Sequence, residues 1–165
     1  MLHEVNIAGL TLDQASNTPI IILKTIDMED SIPIWIGLLE ATSIASVLQE
    51  IHFDRPMSHD LFKNFIVEMA VAVEKVAVCD LRDNTFFAKI YFKAQERDFC
   101  MDARPSDAIA MALRFKAPIF VDDKVLQKFK SGDVTGEVLD NTDEGKKWAE
   151  YLEKLNPDDF GKYKV

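Results

Sequence analysis

The chain has 165 residues, of which 48% are hydrophobic and 28% charged, and its formal net charge is −9. Its length is that of one ordinary domain, and its composition is typical of a globular protein and excludes a disordered one. A chain this acidic lacks the broad positive field that holds bulk DNA-coating proteins on a phosphate backbone, so any action on nucleic acid requires a bound cation or a local Arg/Lys patch.

The first part of the chain predicts three strands followed by two helices. Residues 3–12 alternate between apolar and polar, residues 19–26 are rich in Ile and Leu, and residues 32–36 form a short third strand that ends at Gly37. An amphipathic helix follows, and Ser58 is expected to cap the next helix. The apolar positions are Ala41, Ile44, Ala45, Leu48 and Ile51 in the first helix and Leu61, Phe62, Phe65, Ile66 and Met69 in the second.

The middle of the chain predicts three more strands. Residues 73–81 form one strand, Asp83 and Asn84 the turn after it, and residues 97–103 the last strand. In the strand between them one face carries Phe86, Ala88, Ile90 and Phe92, and the other carries Lys89, Tyr91 and Lys93. The same alternation in residues 97–103 turns Phe99, Met101 and Ala103 inward and places Cys100, Asp102 and Arg104 on the opposite face.

The last part of the chain begins with an Ala-rich helix from Pro105 to about Phe115. A short strand at 118–121 and a helix at 124–130 follow, and residues 131–143 have the composition of a linker. A final polar helix, Glu144–Leu155, is expected to dock on or beside the rest. We therefore expect a domain over residues 1–130, and a linker with a C-terminal helical extension over residues 131–165.

Three features bear on the cellular location and the evolutionary origin of the chain. No basic start precedes an apolar segment, and no apolar run approaches the roughly 20 residues of a membrane span, so we expect a cytoplasmic protein without a membrane contact. Cys79 and Cys100 form no CxxC pair, which favours two reduced thiols over a disulfide. The pattern Ile-Ala-x-x-Leu occurs at 44–48 and again at 109–113, which is compatible with a duplicated strand-helix unit or with a common core stripe.

The densest charge lies where a strand is predicted to turn into the Ala-rich helix. Asp102, Arg104 and Asp107 surround Pro105 there, at a helix N-terminus whose free N–H groups and dipole favour anions. These side chains are either an ion-pair cluster or a site for a phosphate or its metal. Arg114, two turns further along, is expected to face solvent.

A second charged segment is Arg55-Pro56-Met57-Ser58-His59-Asp60. His59 is either a hydrogen-bonded structural residue or, beside the Asp60 carboxylate, a general base. Glu40, in the first turn after Gly37, is either a simple helix-start glutamate or an inward-pointing ligand. No HExxH, HxH or CxxC occurs, so zinc is not expected, and carboxylate ligands would favour Mg²⁺ or Mn²⁺.

Four blocks in order resemble the bifunctional nuclease domain family. They are Ile32-Pro33-Ile34-Trp35-Ile36-Gly37-x-x-Glu40-Ala41, Arg55-Pro56-x-x-His59-Asp60-Leu61, Asn84-Thr85-Phe86-Phe87-Ala88 and Asp102-Ala103-Arg104-Pro105-Ser106-Asp107-Ala108-Ile109-Ala110. The resemblance covers roughly residues 3–130 and departs at Ser58, where the family more often has Thr. It implies an α+β fold with a bent, mostly antiparallel β-sheet and helices packed on it, a homo-oligomer, and cleavage of DNA and RNA.

The residues that match the family pattern suggest a metal-assisted nuclease. We expect Asp102, Asp107 and Glu40 to hold Mg²⁺ or Mn²⁺, with His59, oriented by Asp60, as the proton acceptor. Arg55 and Arg104 are expected to stabilise charge on the phosphorane. The alternative is a non-catalytic ligand-binding or protein-interaction module in which the same residues form a structural ion-pair network.

Overall fold

The computed structural model describes residues 1–28 and 30–131, which form seven strands and four helices. The expected linker and final helix lie outside the described residues. The strands are β1 Leu2–Leu12, β2 Pro19–Thr25, β3 Ser31–Trp35, β4 Ala72–Arg82, β5 Thr85–Lys93, β6 Phe99–Ala103 and β7 Ile119–Asp122. The helices are α1 Leu38–Leu48, α2 Ser58–Glu68, α3 Pro105–Phe115 and α4 Asp123–Lys130.

All seven strands belong to one sheet in the order β3-β2-β1-β7-β4-β5-β6. Every neighbouring pair is antiparallel except β4 and β7, which run parallel. The predicted α+β fold with a mostly antiparallel sheet is therefore confirmed. Each half has the same order of elements, three antiparallel strands followed by a helix, and β7 joins the halves. Duplication of an ancestral unit stays a prediction.

The two helices that leave the sheet edges meet on one face of the sheet. Helix α1 follows β3 and helix α3 follows β6, the two edge strands. In a flat sheet, six strand spacings would separate these edges by about 29 Å. Yet Glu40 in α1 and Arg104, just before α3, form an ion pair of 2.8 Å. This contact is what a strongly bent sheet allows, and it brings two helix N-termini together.

The buried side chains of β5 and α3 form much of the interface between the sheet and the helices. Ala88, Ile90 and Phe92 are buried on one face of β5, while Lys89 and Lys93 on the other face are exposed, as the alternation predicts. Helix α3 presents small residues that allow close approach of the helix to its neighbours. Its buried hydrophobic residues are Ala108, Ile109, Ala110, Met111 and Ala112.

The predicted turn between β4 and β5 is confirmed. Asp83 and Asn84 have φ values of 45° and 61°, and they are the only two residues between the strands. Two central residues with positive φ define the type I′ turn, whose twist matches that of the flanking strands. Asp and Asn tolerate this region better than other side chains do.

The predicted burial of the second helix is wrong. Of the five apolar positions expected to be buried in and just after α2, only Ile66 is buried, whereas Leu61, Phe65 and Met69 are each about 60% exposed. Helix α2 contacts α3 but presents the rest of its apolar stripe outward. The periodicity correctly identified an amphipathic helix, but it does not say whether the apolar side meets the same chain.

The predicted cap of this helix is displaced by one residue. Met57 occupies the N-cap position in extended conformation, and Ser58 is the first helical residue. The carboxylate of Asp60 accepts a hydrogen bond of 3.1 Å from the Met57 backbone N–H, so the third helical residue supplies the cap.

Candidate active site

His59 is held by one partner at each ring nitrogen. Its Nδ1 lies 2.8 Å from the Ser43 hydroxyl on α1, and its Nε2 lies 2.9 Å from Oδ1 of Asp107 on α3. The imidazole thus bridges the two helices from the first turn of α2. The expectation that Asp60 orients His59 is wrong, because among the described hydrogen bonds Asp107 and Ser43 are its partners.

Arg104 lies between two carboxylates. It contacts Asp107 at 2.7 and 3.1 Å through two nitrogens, and a third nitrogen lies 2.8 Å from Oε1 of Glu40. Burial alone would raise the pKa of the Asp107 carboxyl, but the hydrogen bonds from Arg104 and His59 outweigh it, and the pKa is lowered. The Asp107 hydrogen bonds in turn raise the pKa of the Arg104 guanidinium. Glu40, His59, Arg104 and Asp107 are therefore one connected network.

Gly37 makes room for the Glu40 carboxylate. A Cβ atom at this position would overlap the carboxylate oxygen of Glu40, so a side chain here would push the carboxylate away. The glycine has φ −70°, an ordinary value for any residue, so space rather than backbone freedom explains its presence. It permits Glu40 to fold back toward the start of α1.

Asp60 belongs to a separate, more buried ion pair. Its Oδ1 accepts a 2.7 Å hydrogen bond from Arg114, whose side chain is only 4% exposed. Arg114 also donates to the backbone carbonyls of Ala110 and Ser43. The expectation that Arg114 faces solvent is wrong: it lies one turn beyond Ala110, on the face of α3 that meets α1 and α2.

The network borders a cavity of about 330 Å³ between α2, α3 and the edge of the sheet. His59 and Asp107 contribute polar side chains, and Asp102 borders the cavity from β6 while sharing the opposite face of the sheet with Lys89. The remaining lining is largely apolar: Phe62, Ile90, Phe92, Met101, Ala103 and Met111, together with Ser58. An apolar recess with a few convergent polar groups is the usual form of a small binding site.

Two of the sequence-predicted site residues stand apart from this network. Asp102 borders the cavity and lies opposite Lys89 in the strand pair, but within the described part of the chain its carboxylate makes no hydrogen bond or ion pair. Asp102 and Arg104 do not form an ion pair with each other, because the Arg104 side chain binds Glu40 and Asp107. Arg55 lies exposed in the segment before α2, again without a polar partner in residues 1–28 and 30–131.

The three carboxylates expected to bind a metal do not converge. Within residues 1–28 and 30–131, no three His, Cys, Asp or Glu side chains are close enough together to hold a metal ion. Asp107 and Glu40 are instead bound to Arg104, whose guanidinium offsets one of their two charges and occupies the oxygens that a cation would need. The donor set present here therefore does not fit Mg²⁺ or Mn²⁺.

Ser43 is the site residue that sequence reasoning missed. A serine inside a helix has no sequence signature of its own, and its neighbours are apolar core residues. One usable signal was its spacing of three residues from Glu40, since residues three apart share a helix face. Serine contributes here because its hydroxyl can both donate and accept a hydrogen bond.

Comparison with protein families gives a match to the bifunctional nuclease domain over residues 21–132, which is more than half of the chain. The chain belongs to the bifunctional nuclease domain family. All of the residues that form the network around His59 lie inside the matched segment.

Relatives with different degrees of coverage support this membership. An uncharacterized protein of Mycobacterium tuberculosis is 34% identical over 164 residues, which span 96% of this chain and 98% of that protein. "Bifunctional nuclease 1" of Oryza sativa subsp. indica is 28% identical over 109 residues, or 64% of this chain and 33% of the rice protein. "Bifunctional nuclease 2" of Arabidopsis thaliana is 30% identical over 62% of this chain and 32% of its own length.

The described helices also bear on a membrane role. In the part of the chain that the structure covers, no helix is long and apolar enough to cross a bilayer.

Both cysteines are free, as predicted, and burial raises the pKa of the Cys79 thiol.

Proposed function

We propose that this protein is a nuclease that hydrolyses phosphodiester bonds in DNA and RNA, and that the cavity beside His59 is its active site. The observation that supports this most is the position of His59, held between Ser43 and Asp107 at the wall of a cavity. The plant relatives named as bifunctional nucleases give the reaction class.

His59 is the proposed proton acceptor. A histidine that moves protons must keep its orientation in both protonation states. The Ser43 hydroxyl suits this role, since it can donate to a bare Nδ1 and accept from a protonated one. The ionised Asp107 carboxylate accepts a hydrogen bond from Nε2–H of the neutral imidazole, so Nδ1 is the nitrogen that can take up a proton, from the Ser43 hydroxyl or from a water molecule or substrate hydroxyl that replaces it.

Arg104 is the proposed electrophilic group. Its side chain is 65% exposed, and its guanidinium can form paired hydrogen bonds with a phosphate. The two carboxylates beside it hold the guanidinium in place before substrate arrives, which is the condition for stabilising charge that develops in a transition state. Arg55, exposed just before α2, is proposed to contact the substrate backbone.

Dependence on Mg²⁺ or Mn²⁺ stays a prediction. Asp102, at the β6 border of the cavity, forms no ion pair among the described residues, so Asp102→Asn is the variant that would show a contribution of this carboxylate to metal dependence. No step of the proposed reaction is routed through a metal, because Asp107 and Glu40 are engaged by Arg104.

The same contacts also support the alternative of a non-catalytic module. Glu40, Arg104, Asp107 and His59 satisfy one another's hydrogen bonds, as an ion-pair network that only ties α1, α2 and α3 together would do. In that case, replacing His59 would change stability and ligand binding, and no hydrolysis would be found in the wild-type protein.

Cleavage assays on highly purified protein separate the two functions. Wild type, Asp102→Asn and His59→Ala are prepared in parallel and given labelled single-stranded DNA and RNA, with and without EDTA. We expect cleavage by wild type and a loss of roughly 10²- to 10⁴-fold with His59→Ala. Undiminished cleavage by both variants would contradict the site and indicate a contaminating nuclease, and inactivity of the wild type would support the non-catalytic module.

We further propose that the protein is a homo-oligomer in which the exposed stripe of α2 binds a second copy. Leu61, Phe65 and Met69 form a row of apolar side chains at helical spacing, and Met101 of the edge strand β6 adds to the exposed apolar surface. An exposed surface of this kind marks an interaction site. Because Phe62 and Met101 also line the cavity, the second copy would lie beside the active site.

The association state tests this part of the proposal. Sedimentation of the full chain is expected to show a dimer or larger species, and Leu61→Glu with Phe65→Glu is expected to give a folded monomer. The matched control is Glu68→Gln, an exposed change on the same helix that leaves the apolar row intact. A wild type that sediments as a monomer at all concentrations would contradict self-association.

We also propose a cytoplasmic location, which the two free thiols favour.

A further inference from the structure

The face of the sheet turned away from α3 carries a basic and aromatic surface. On β5 the outward residues alternate between ring and lysine: Phe87, Lys89, Tyr91 and Lys93. Residues two apart on a strand are about 6.6–6.8 Å apart, so the two rings lie about 13 Å from each other with Lys89 between them. The neighbouring strands extend this surface, since Lys75 of β4 pairs with Tyr91 and Phe120 of β7 pairs with Ala77 of β4. We call these residues, with Arg82, the outer platform.

Cations and rings are in direct contact across the outer platform. The Lys75 ammonium lies 5.0 Å from the centre of the Tyr91 ring and 5.9 Å from that of Phe120. The Arg82 guanidinium lies 5.2 Å from the centre of the Phe87 ring. These are the cation–π pairs found in the described part of the chain, and all of them lie on this face.

The outer platform is a local exception to an acidic chain. Strand β5 has two lysines and no acidic residue, although the chain as a whole has 28 Asp and Glu against 19 Lys and Arg. Asp80 on this face is neutralised by Arg82 and Lys128, whose hydrogen bonds hold the pKa of its carboxyl far below the usual value. Three further carboxylates lie near the platform: Glu4 opposite Phe120, Asp102 opposite Lys89, and the exposed Glu74 beside Lys75 on β4.

The platform is continuous with the proposed active site. Lys89 pairs with Asp102 across β5 and β6, and Asp102 lines the cavity beside His59. Strand β6 is the edge of the sheet and is only five residues long, so a flexible chain can pass from one face to the other around it. A stiff duplex cannot follow such a turn at this scale.

We propose that the outer platform binds single-stranded nucleic acid and leads it over the β6 edge to the cavity. Bases stack on Tyr91, Phe87 and Phe120, and phosphates contact Lys75, Lys89 and Lys93. Stacking on sheet aromatics combined with basic side chains is the general mode of single-strand recognition, and it does not depend on sequence. The substrate preference for single strands rests on the proposed nuclease function, whereas the binding itself does not.

Binding is measured by fluorescence anisotropy with a labelled 15-nucleotide oligothymidylate and with a duplex of equal length. The full chain carries His59→Ala so that the probe stays intact. We expect the single strand to bind at least ten-fold more tightly than the duplex. Tyr91→Leu should weaken single-strand binding by about ten-fold or more, since it removes a stacking ring. Lys89→Ala with Lys93→Ala should weaken binding and lower the steepness of its salt dependence by about 1.4.

The control is Lys124→Ala, which removes one lysine charge from an exposed position on α4. Its effect is compared, per charge removed, with that of the platform variant that carries both Lys89→Ala and Lys93→Ala. The proposal is overturned by equal affinity for single strand and duplex, by undetectable binding, or by a Lys124→Ala effect equal to that of the platform lysines. Turnover of the small diester bis(p-nitrophenyl) phosphate keeps the two proposals apart. In protein that retains His59, hydrolysis of this small diester depends on the cavity and not on the platform. Platform variants with intact His59 should therefore hydrolyse it at the wild-type rate while losing activity on oligonucleotides.

Discussion

The molecule contains two histidines bound to aspartates, and they differ in what surrounds them. His3 on β1 lies 2.8 Å from Asp27 and 2.5 Å from Asp123, with a carboxylate at each ring nitrogen. His59 has a carboxylate at one nitrogen and a hydroxyl at the other, and it borders a cavity. A carboxylate at both nitrogens favours the charged imidazolium, which ties chain segments together. A carboxylate and a hydroxyl permit both protonation states, which proton transfer requires.

The largest expected effects separate these two histidines. His59→Ala is expected to lower nucleic-acid cleavage by about 10²- to 10⁴-fold because it removes the proton acceptor, with a small change in stability. His3→Gln is expected to do the reverse, lowering the urea midpoint while leaving cleavage by the folded protein within about two-fold of wild type. Cleavage rates and urea unfolding of both variants check this. A similar loss of cleavage in His59→Ala and His3→Gln would contradict the assignment of His59 to catalysis and His3 to stability.

A second comparison concerns the two arginines that bind carboxylates near the site. Arg114 is buried, so Arg114→Met leaves Asp60 without its cation and removes the Arg114 hydrogen bonds to the carbonyls of Ala110 and Ser43. We expect a loss of about 3 kcal/mol in the free energy of unfolding. Arg104 is largely exposed, and Arg104→Met is expected to cost less than about 1 kcal/mol while lowering cleavage strongly. Chemical denaturation of both variants measures the difference, and equal destabilisation would contradict the assignment of Arg114 to structure and Arg104 to function.

The smallest expected effect is the pH dependence contributed by His3. Hydrogen bonds that His3 donates to Asp27, and then to Asp123, raise the pKa of His3 in the folded state. Its contribution to stability is therefore complete below about pH 6.5 and declines as the pH rises through the raised folded-state pKa. The urea midpoint of wild type should fall toward that of His3→Gln between pH 6 and pH 9. A constant difference over this range would show that His3 is uncharged in the fold.

The sequence predicts the features that depend on residues close together in the chain better than it predicts contacts between distant residues. Strand alternation correctly placed Lys89 and Tyr91 opposite Ile90, and two turn residues correctly marked the hairpin at Asp83. The sequence also predicted His59, Arg104 and Asp107 as candidate site residues, and the structure joins them by hydrogen bonds. It did not predict the partner of His59, because Ser43 comes from a different helix. Arg114 was misjudged for the same reason: its carboxylate partner, Asp60, lies 54 positions away.

The exposed stripe of α2 shows a different limit of the sequence. Hydrophobic periodicity reports that one side of a helix avoids water, and this is true whether the side meets its own chain or another. Leu61 and Phe65 carry the same signal as the buried Ile44 of α1. The burial of such a stripe depends on which surface it contacts, and the spacing of apolar residues along a sequence does not encode that.

The most direct test of the central claim is chemical rescue of His59→Ala by imidazole. Removal of the His59 side chain leaves a space between Asp107 and Ser43, at the wall of the cavity, that a free imidazole molecule can occupy. If His59 transfers a proton during phosphodiester hydrolysis, the variant should lose cleavage and regain a measurable part of it as imidazole is added, while wild type is unaffected. An active variant, or an inactive one that imidazole does not restore at any concentration, would contradict the assignment of His59 as the proton acceptor.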